Sequence, residues 1–191
     1  MQVGRFYKIH LMNRNNALGF MFLLLLGSAA IYSLFSQKID EQENNRNEPA
    51  SLIPDTLLDN RGKKVPSAQL SGKYVGLYFS ASWCGPCRSF TPELIRFRSQ
   101  HQDEFEVILV GGDGSSKDQA KYIEKYDMPW FAMINQSEAA KQASKQLNVE
   151  YIPCLVIIDP SGKVVSKEGV KEVRSLKKAA MGLWKSAPKD T

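Results

Sequence analysis

Cysteine and histidine are scarce in this 191-residue chain: three of the former, Cys84, Cys87 and Cys154, and two of the latter, His10 and His101. Three cysteines are too few for a small secreted scaffold held by disulfides, and a chain of this length can bury a core without them. A tetrahedral zinc site needs four ligands, or three and a water. Beyond the Cys-x-x-Cys pair only Cys154, His101 and His10 remain, so neither metal nor other cofactor is expected. Acids are absent from residues 1–37, where Arg5, Lys8 and Arg14 supply three of the five formal positive charges. The rest is nearly balanced and has no basic stripe interleaved with aromatics, which excludes a nucleic-acid footprint. No internal repeat occurs. Gly111-Gly112-Asp113-Gly114 lacks the Gly-Lys-Ser/Thr ending of a phosphate loop and reads as a flexible strand-end loop.

Charge of either sign is missing from residues 15–37, whose apolar core runs from Ala17 to Leu26 and on through Ile31 to Phe35. About 20 apolar residues span a bilayer as a helix. Basic residues precede the run and Asp40, Glu41 and Glu43 follow it, which by the positive-inside rule exports what comes after. Residues 1–14 are therefore expected to be a basic cytoplasmic region, 15–37 a transmembrane signal anchor in contact with the lipid bilayer, 38–50 a flexible polar tether and 51–191 the folded domain. Cleavage near Ser28-Ala29-Ala30 is the competing reading; the anchor is preferred because the run outlasts a typical signal-peptide core. The placement that follows is a single-pass inner-membrane protein with its domain in the periplasm, or in the secretory lumen of a eukaryote.

From Ser51 onward, strand-like and helix-like segments alternate. Leu57-Leu58 and Lys64-Val65 flank a turn at Asn60–Lys63; Tyr74–Phe79, Phe105–Val110 and Leu155–Ile158 are apolar runs of buried strands. Helices are expected over Arg88–Gln100, from Ser116 or Asp118 to Tyr126, from a Ser137 cap to Leu147, and over Glu172–Lys185 with Val173, Leu176, Ala180 and Trp184 facing inward. Asp159–Gly162 turns the last core strand into Lys163–Val165. The pattern is an α/β domain with helices covering a central sheet.

Trp83-Cys84-Gly85-Pro86-Cys87 falls where a core strand ends and a helix begins. Unpaired amide N–H groups and the helix dipole at that point favour an anion, and the thiolate is the nucleophile of disulfide exchange. Cys87 lies one turn on, Pro86 suits a first helical turn, and Gly85 leaves space beside Cys84. Cys84 is thus expected to attack a partner disulfide and Cys87 to resolve the mixed disulfide, the first sulfur being the more exposed.

Trp-Cys-Gly-Pro-Cys is the active-site string of thioredoxins, and the chain resembles their superfamily over roughly residues 51–175. The flanks Gly72-Lys73-Tyr74-Val75-Gly76-Leu77-Tyr78-Phe79-Ser80-Ala81-Ser82, then Arg88-Ser89-Phe90-Thr91-Pro92-Glu93-Leu94 and Met128-Pro129-Trp130, resemble the tryparedoxin and nucleoredoxin branch. The resemblance implies a thioredoxin fold, a central mixed sheet flanked by helices, here behind an N-terminal transmembrane helix. It implies a cis-proline at Pro153 opposite the cysteines and substrate pairing through the backbone of Ile152. It also implies that Trp130 overhangs the active site, although core packing explains that residue as well. Two departures stand out: Tyr78 occupies the place of the buried Asp of thioredoxins, and Gly85-Pro86 replaces the Pro-Pro usual in the tryparedoxin branch.

Trp83 is expected to shield the motif and offer contact surface. Cys154 is expected to be a small apolar residue, with a redox-sensitive third thiol as the other reading, and His101 a solvated helix end. The expected activity is membrane-anchored exchange of a Cys84–Cys87 dithiol with protein disulfides, acting as a reductase in cell redox homeostasis and recharged by a separate membrane thiol reductant. A thiol peroxidase would need a peroxidatic cysteine with its own donor network, which is not identifiable. A non-catalytic anchored binding module would not need both cysteines.

Overall fold

The computed structural model describes residues 51–187; the expected n-region, spanning segment and tether at 1–14, 15–37 and 38–50 lie outside the described residues. The chain builds β1 (Thr56–Leu58), β2 (Lys64–Pro66), β3 (Tyr74–Ser80), α1 (Gly85–Gln100), β4 (Phe105–Gly111), α2 (Ser116–Lys125), β5 (Phe131–Ala132), α3 (Glu138–Gln146), β6 (Cys154–Ile158), β7 (Val164–Ser166), α4 (Gly169–Leu176) and α5 (Ala180–Lys185). The strands form one mixed sheet in the order β2-β1-β5-β4-β3-β6-β7. β3 pairs parallel with β4 and antiparallel with β6, so the strand that leads into the Cys-x-x-Cys motif is central.

Both faces of β3 are buried because its two side-chain sets serve two half-cores. Val75, Leu77 and Phe79 join Val110, Val156, Ala140 and Ala143 on one side, while Tyr78 meets Phe90, Leu94, Leu109 and Leu155 on the other. Gly76 is required between them, since a Cβ there would lie 2.9 Å from both Leu155 Cδ1 and Phe105 Cζ. Helices α1, α2, α4 and α5 cover the second face; α3 and a 3-10 turn at Ser67–Leu70 cover the first. α1 is pinned to β4 by Arg98, which donates to both carboxylate oxygens of buried Glu106 at 3.0 and 2.6 Å.

Three expectations need correcting. The helix expected over Glu172–Lys185 is two helices separated by a 3-10 turn at Lys177–Ala179, where Lys177 takes φ 50° and ψ −130°. The cause is Glu172, whose Oε2 accepts from Trp184 Nε1 at 2.7 Å and from Ser166 Oγ at 2.7 Å. Twelve residues of continuous helix would separate Glu172 and Trp184 by about 18 Å, so the chain folds back. Leu176, at the break, is left exposed rather than turned inward. β5 was not expected; two residues are too few to display a period. The fold class is corrected too. Among the described residues no helix is long and apolar enough to cross a membrane; α1, the longest at 16 residues, carries Arg88, Glu93, Arg96 and Arg98. The architecture supported for residues 51–187 is the mixed-sheet α/β fold alone.

Trp184 packs against Phe97 and Phe105 at centroid distances of 5.3 and 5.4 Å. Trp184→Ala is expected to lower stability by about 3–5 kcal/mol, as for other buried aromatics, measured by urea unfolding. Glu172→Gln, which keeps an acceptor in place, should cost clearly less.

Candidate active site

β3 delivers the chain from the middle of the sheet to the first turn of α1. There Cys84 is the N-cap, with φ −79° and ψ 110°, and Pro86 falls within the first two helical positions. Its Sγ accepts the backbone N–H of Cys87 at 3.2 Å, the bond that a Ser or Asp oxygen makes at other helix starts. Cys84 and Cys87 are joined by a disulfide with Cα atoms 5.2 Å apart. Cys84 is 6% exposed and Cys87 fully buried, so Cys84 is the sulfur nearer solvent. Ile152, joined to Pro153 by a cis peptide bond, packs against the pair. Its carbonyl oxygen is 3.8 Å from Cys84 Sγ; the disulfide sulfur carries no proton, so this is a contact that becomes a hydrogen bond only in the dithiol form.

Trp83 is 67% exposed, and its indole Nε1 donates to the Gly112 carbonyl at 3.2 Å. The next residue, Asp113, is buried and its Oδ1 accepts from Ser82 N at 2.9 Å and Ser82 Oγ at 2.6 Å. The 111–114 segment is therefore no free strand-end loop: it holds the turn that carries the cysteines. Nothing in Gly-Gly-Asp-Gly distinguishes this from a surface turn, and sequence reasoning missed both Asp113 and Ser82.

Behind Cys87 lies a run of buried hydroxyls. Tyr78 and Thr91 both donate to the Cys87 carbonyl at 3.0 Å, Thr91 Oγ1 is 2.9 Å from Tyr122 Oη, and Tyr122 Oη is 3.0 Å from Ser80 Oγ. Burial, reinforced by the neighbouring Tyr122, pushes the Tyr78 phenol far above its ordinary range. Tyr78 is neutral at any physiological pH, so it orients and donates and is not a general base.

The remaining residues fall as follows. Gly85 and Pro86 open α1 beside the disulfide. Trp130 is 1% exposed and meets Tyr78 edge-on at 6.3 Å, so it supports the site from inside the core and does not overhang it. Cys154 begins β6, partly buried against the half-core of Phe79, and burial raises its thiol pKa. His101 closes α1 but is not solvated: its side chain is largely buried, with the ring 4.8 Å from Phe97.

A sulfur-capped helix, a disulfide spanning one turn and a facing cis-proline on this sheet define a thiol–disulfide oxidoreductase of the thioredoxin type. Comparison with known proteins agrees. A thioredoxin-like family model matches residues 72–164. Tryparedoxin of Trypanosoma brucei brucei is 41% identical over 107 residues, covering 54% of this chain and 73% of that protein. Mouse nucleoredoxin is 38% identical over 126 residues, 64% of this chain but 28% of its own length; the chain spans about a quarter to a third of the nucleoredoxins it matches. The solved Trypanosoma brucei tryparedoxin superposes with TM-score 0.63 at 35% identity, covering 71% of this chain and 96% of that one. Tryparedoxin II complexed with glutathionylspermidine superposes with TM-score 0.60 at 32% identity over 66% and 90%. The chain belongs to the thioredoxin superfamily, on the side of the tryparedoxins and nucleoredoxins.

The expected inner-membrane and periplasmic placement, with its lumenal variant, is corrected here. It rested on the spanning segment, no described helix can cross a bilayer, and the matches are to nucleoredoxins and tryparedoxins. The bilayer contact and the membrane-borne reductant are withdrawn with it.

Alkylation of the reduced protein by iodoacetamide at neutral pH should modify Cys84 ahead of both buried Cys87 and Cys154, whose pKa burial raises, read by peptide mass spectrometry. Tyr78→Phe, which strips one donor from the Cys87 carbonyl and one neighbour from Thr91, should cost about 1–3 kcal/mol of stability in chemical unfolding.

Proposed function

We propose that the chain is a protein-disulfide reductase in which Cys84 attacks and Cys87 resolves. The observation that carries this reading is the Cys87 N–H directed at Cys84 Sγ from 3.2 Å: the donor is in place before the sulfur becomes an anion, so thiolate forms at no cost in rearrangement. The Gly85-Pro86 pair, which resembles reducing members of the superfamily, supports the direction.

The thiolate of Cys84 attacks one sulfur of the partner. A Cys84–partner bond forms, the partner disulfide breaks, and its other sulfur departs as thiolate. Cys87 then attacks Cys84, the internal disulfide closes, and the second partner sulfur leaves, taking the Cys87 proton. The partner gains two electrons; one proton comes from Cys87, and the first partner thiolate takes the other from solvent, which received the Cys84 proton when that thiol ionised. A separate thiol reductant returns the internal disulfide to the dithiol. Trp83, Gly85, Pro86, Ile152 and Pro153 form the surface the partner meets, and the Ile152 backbone, beside the attacked sulfur, pairs with an extended segment; Trp130 takes no part in contact.

With dithiothreitol as electron source, the protein is expected to accelerate reduction of insulin disulfides, and Cys84→Ser to abolish the acceleration. Cys87→Ser should hold Cys84 in a stable mixed disulfide with the insulin chain, visible on a non-reducing gel. No acceleration by the native chain would sink the reductase reading.

A further inference from the structure

Away from the disulfide, a groove of about 670 Å³ lies between the C-terminal half of α1 and the break that follows α4. Buried Phe97 and Val173 give it an apolar floor, and Leu176, which also lines it, is left 42% exposed. Three exposed cations border that floor, Arg96 on α1 and Lys177 and Lys178 on the 3-10 turn. None of the three has an acidic partner among the described residues. The one acid of the groove, Glu93, is already paired with Arg174 at 3.2 Å.

We propose that this groove is a docking site for an acidic segment of a partner protein, which sets an apolar side chain on Phe97 and Val173 between carboxylates that meet Arg96, Lys177 and Lys178. The charge of the groove is one-sided, so carboxylates are drawn to it and a cationic segment is repelled. A second copy of this chain is disfavoured for the same reason, since it would bring three cations against three. The floor decides between a peptide and a plain polyanion: only an occupant with an apolar side chain removes Phe97, Val173 and Leu176 from water. The cations stand on two separate elements, which suits several carboxylates spread along a chain better than one compact anion. From Glu93 to Gln100 α1 advances about 10 Å, room for about three residues of extended chain. Arg96 is about 18 Å along α1 from Cys84. A partner held here leaves the sulfur open, and the site does not depend on the reductase reading.

The test uses the oxidised full chain and fluorescein-labelled peptides without cysteine, followed by fluorescence anisotropy at low salt. The probe Asp-Glu-Phe-Leu-Glu-Asp is compared with its Asn/Gln analogue, with a form carrying Ser-Ser for Phe-Leu, and with labelled hexathymidylate as a plain polyanion. The probe is expected to bind at least about 10-fold more tightly than each of these. Arg96→Gln and Lys177→Gly should each weaken it several-fold, whereas Lys121→Gln, exposed on α2, should not. Lys177 stands at φ 50°, where glycine is unstrained, so Lys177→Gly removes the cation without lowering the midpoint of thermal unfolding. No binding of the probe would overturn the docking site. So would equal binding of the uncharged peptide, the Ser-Ser peptide or hexathymidylate, affinity that survives both groove variants, or an equal loss in Lys121→Gln. Insulin reduction by the native chain is read separately, and its failure would overturn the reductase reading alone.

Discussion

The hydrogen bond from the Cys87 amide to Cys84 Sγ is the constraint around which the molecule is organised. A helix begins with backbone donors that have no intrahelical partner. Here one of them is spent on a sulfur instead of a hydroxyl, so the chemistry of the site and the start of α1 are one interaction. That arrangement holds only if the helix cannot move relative to the strand that feeds it. The central place of β3, paired along its length with β4 and β6, fixes the entry. The two-pronged Arg98–Glu106 contact fixes the far end of α1 on β4, and the Asp113 carboxylate holds Ser82 in the connecting turn. These three anchors are distant in sequence and converge on one short peptide.

The buried hydroxyls behind Cys87 show how the site manages without an ionisable group at position 78. A carboxylate there would be charged in a low-dielectric interior, and its desolvation would have to be offset elsewhere. Tyr78 avoids the problem by staying neutral, held so by burial, while its hydroxyl and that of Thr91 satisfy the Cys87 carbonyl at the head of the helix. The consequence is chemical: Tyr78 cannot draw the proton from Cys87. In the proposed exchange the departing partner thiolate takes that proton instead.

Much of this was legible in the residues. Continuous apolar runs located β3, β4 and β6, Ser137 marked the start of α3 as expected, and the strand-to-helix position of Cys84 gave its sulfur a role before any geometry was known. What escaped was of two kinds. Some elements fall below the length at which a period is visible, as with Phe131–Ala132. Others are set by long-range contacts that leave no local mark. The break at Lys177 exists because Trp184 must return to Glu172, and a helical pattern that continues across it conceals the turn. Asp113 looks like any acid in a glycine-rich turn until Ser82 is found against it, and Trp130, adjacent to a proline and rich in surface, is sunk beneath Tyr78. The N-terminal apolar run illustrates the converse error, in which a strong local pattern was extended to a topology and a compartment that the described fold does not support.

The two faces of the sheet are unequal, and the inequality explains why a cleft lies where it does. One face is covered by four helices and closed by the Phe97, Phe105 and Trp184 cluster. The other has only α3 and a single 3-10 turn. β4 ends at Gly111, where a Cβ would face α2 on the other side of the sheet, against Gln119 Oε1. Gly112 follows, its carbonyl already taken by Trp83. The cleft on this face is lined by Phe79, Val110, Ala140 and Val149 together with the backbone of Gly111 and Gly112. The hydrogen bond from the Trp83 indole to the Gly112 carbonyl therefore does two things at once: it ties β4 to the turn that carries the cysteines, and it fixes one wall of the cleft beside that turn.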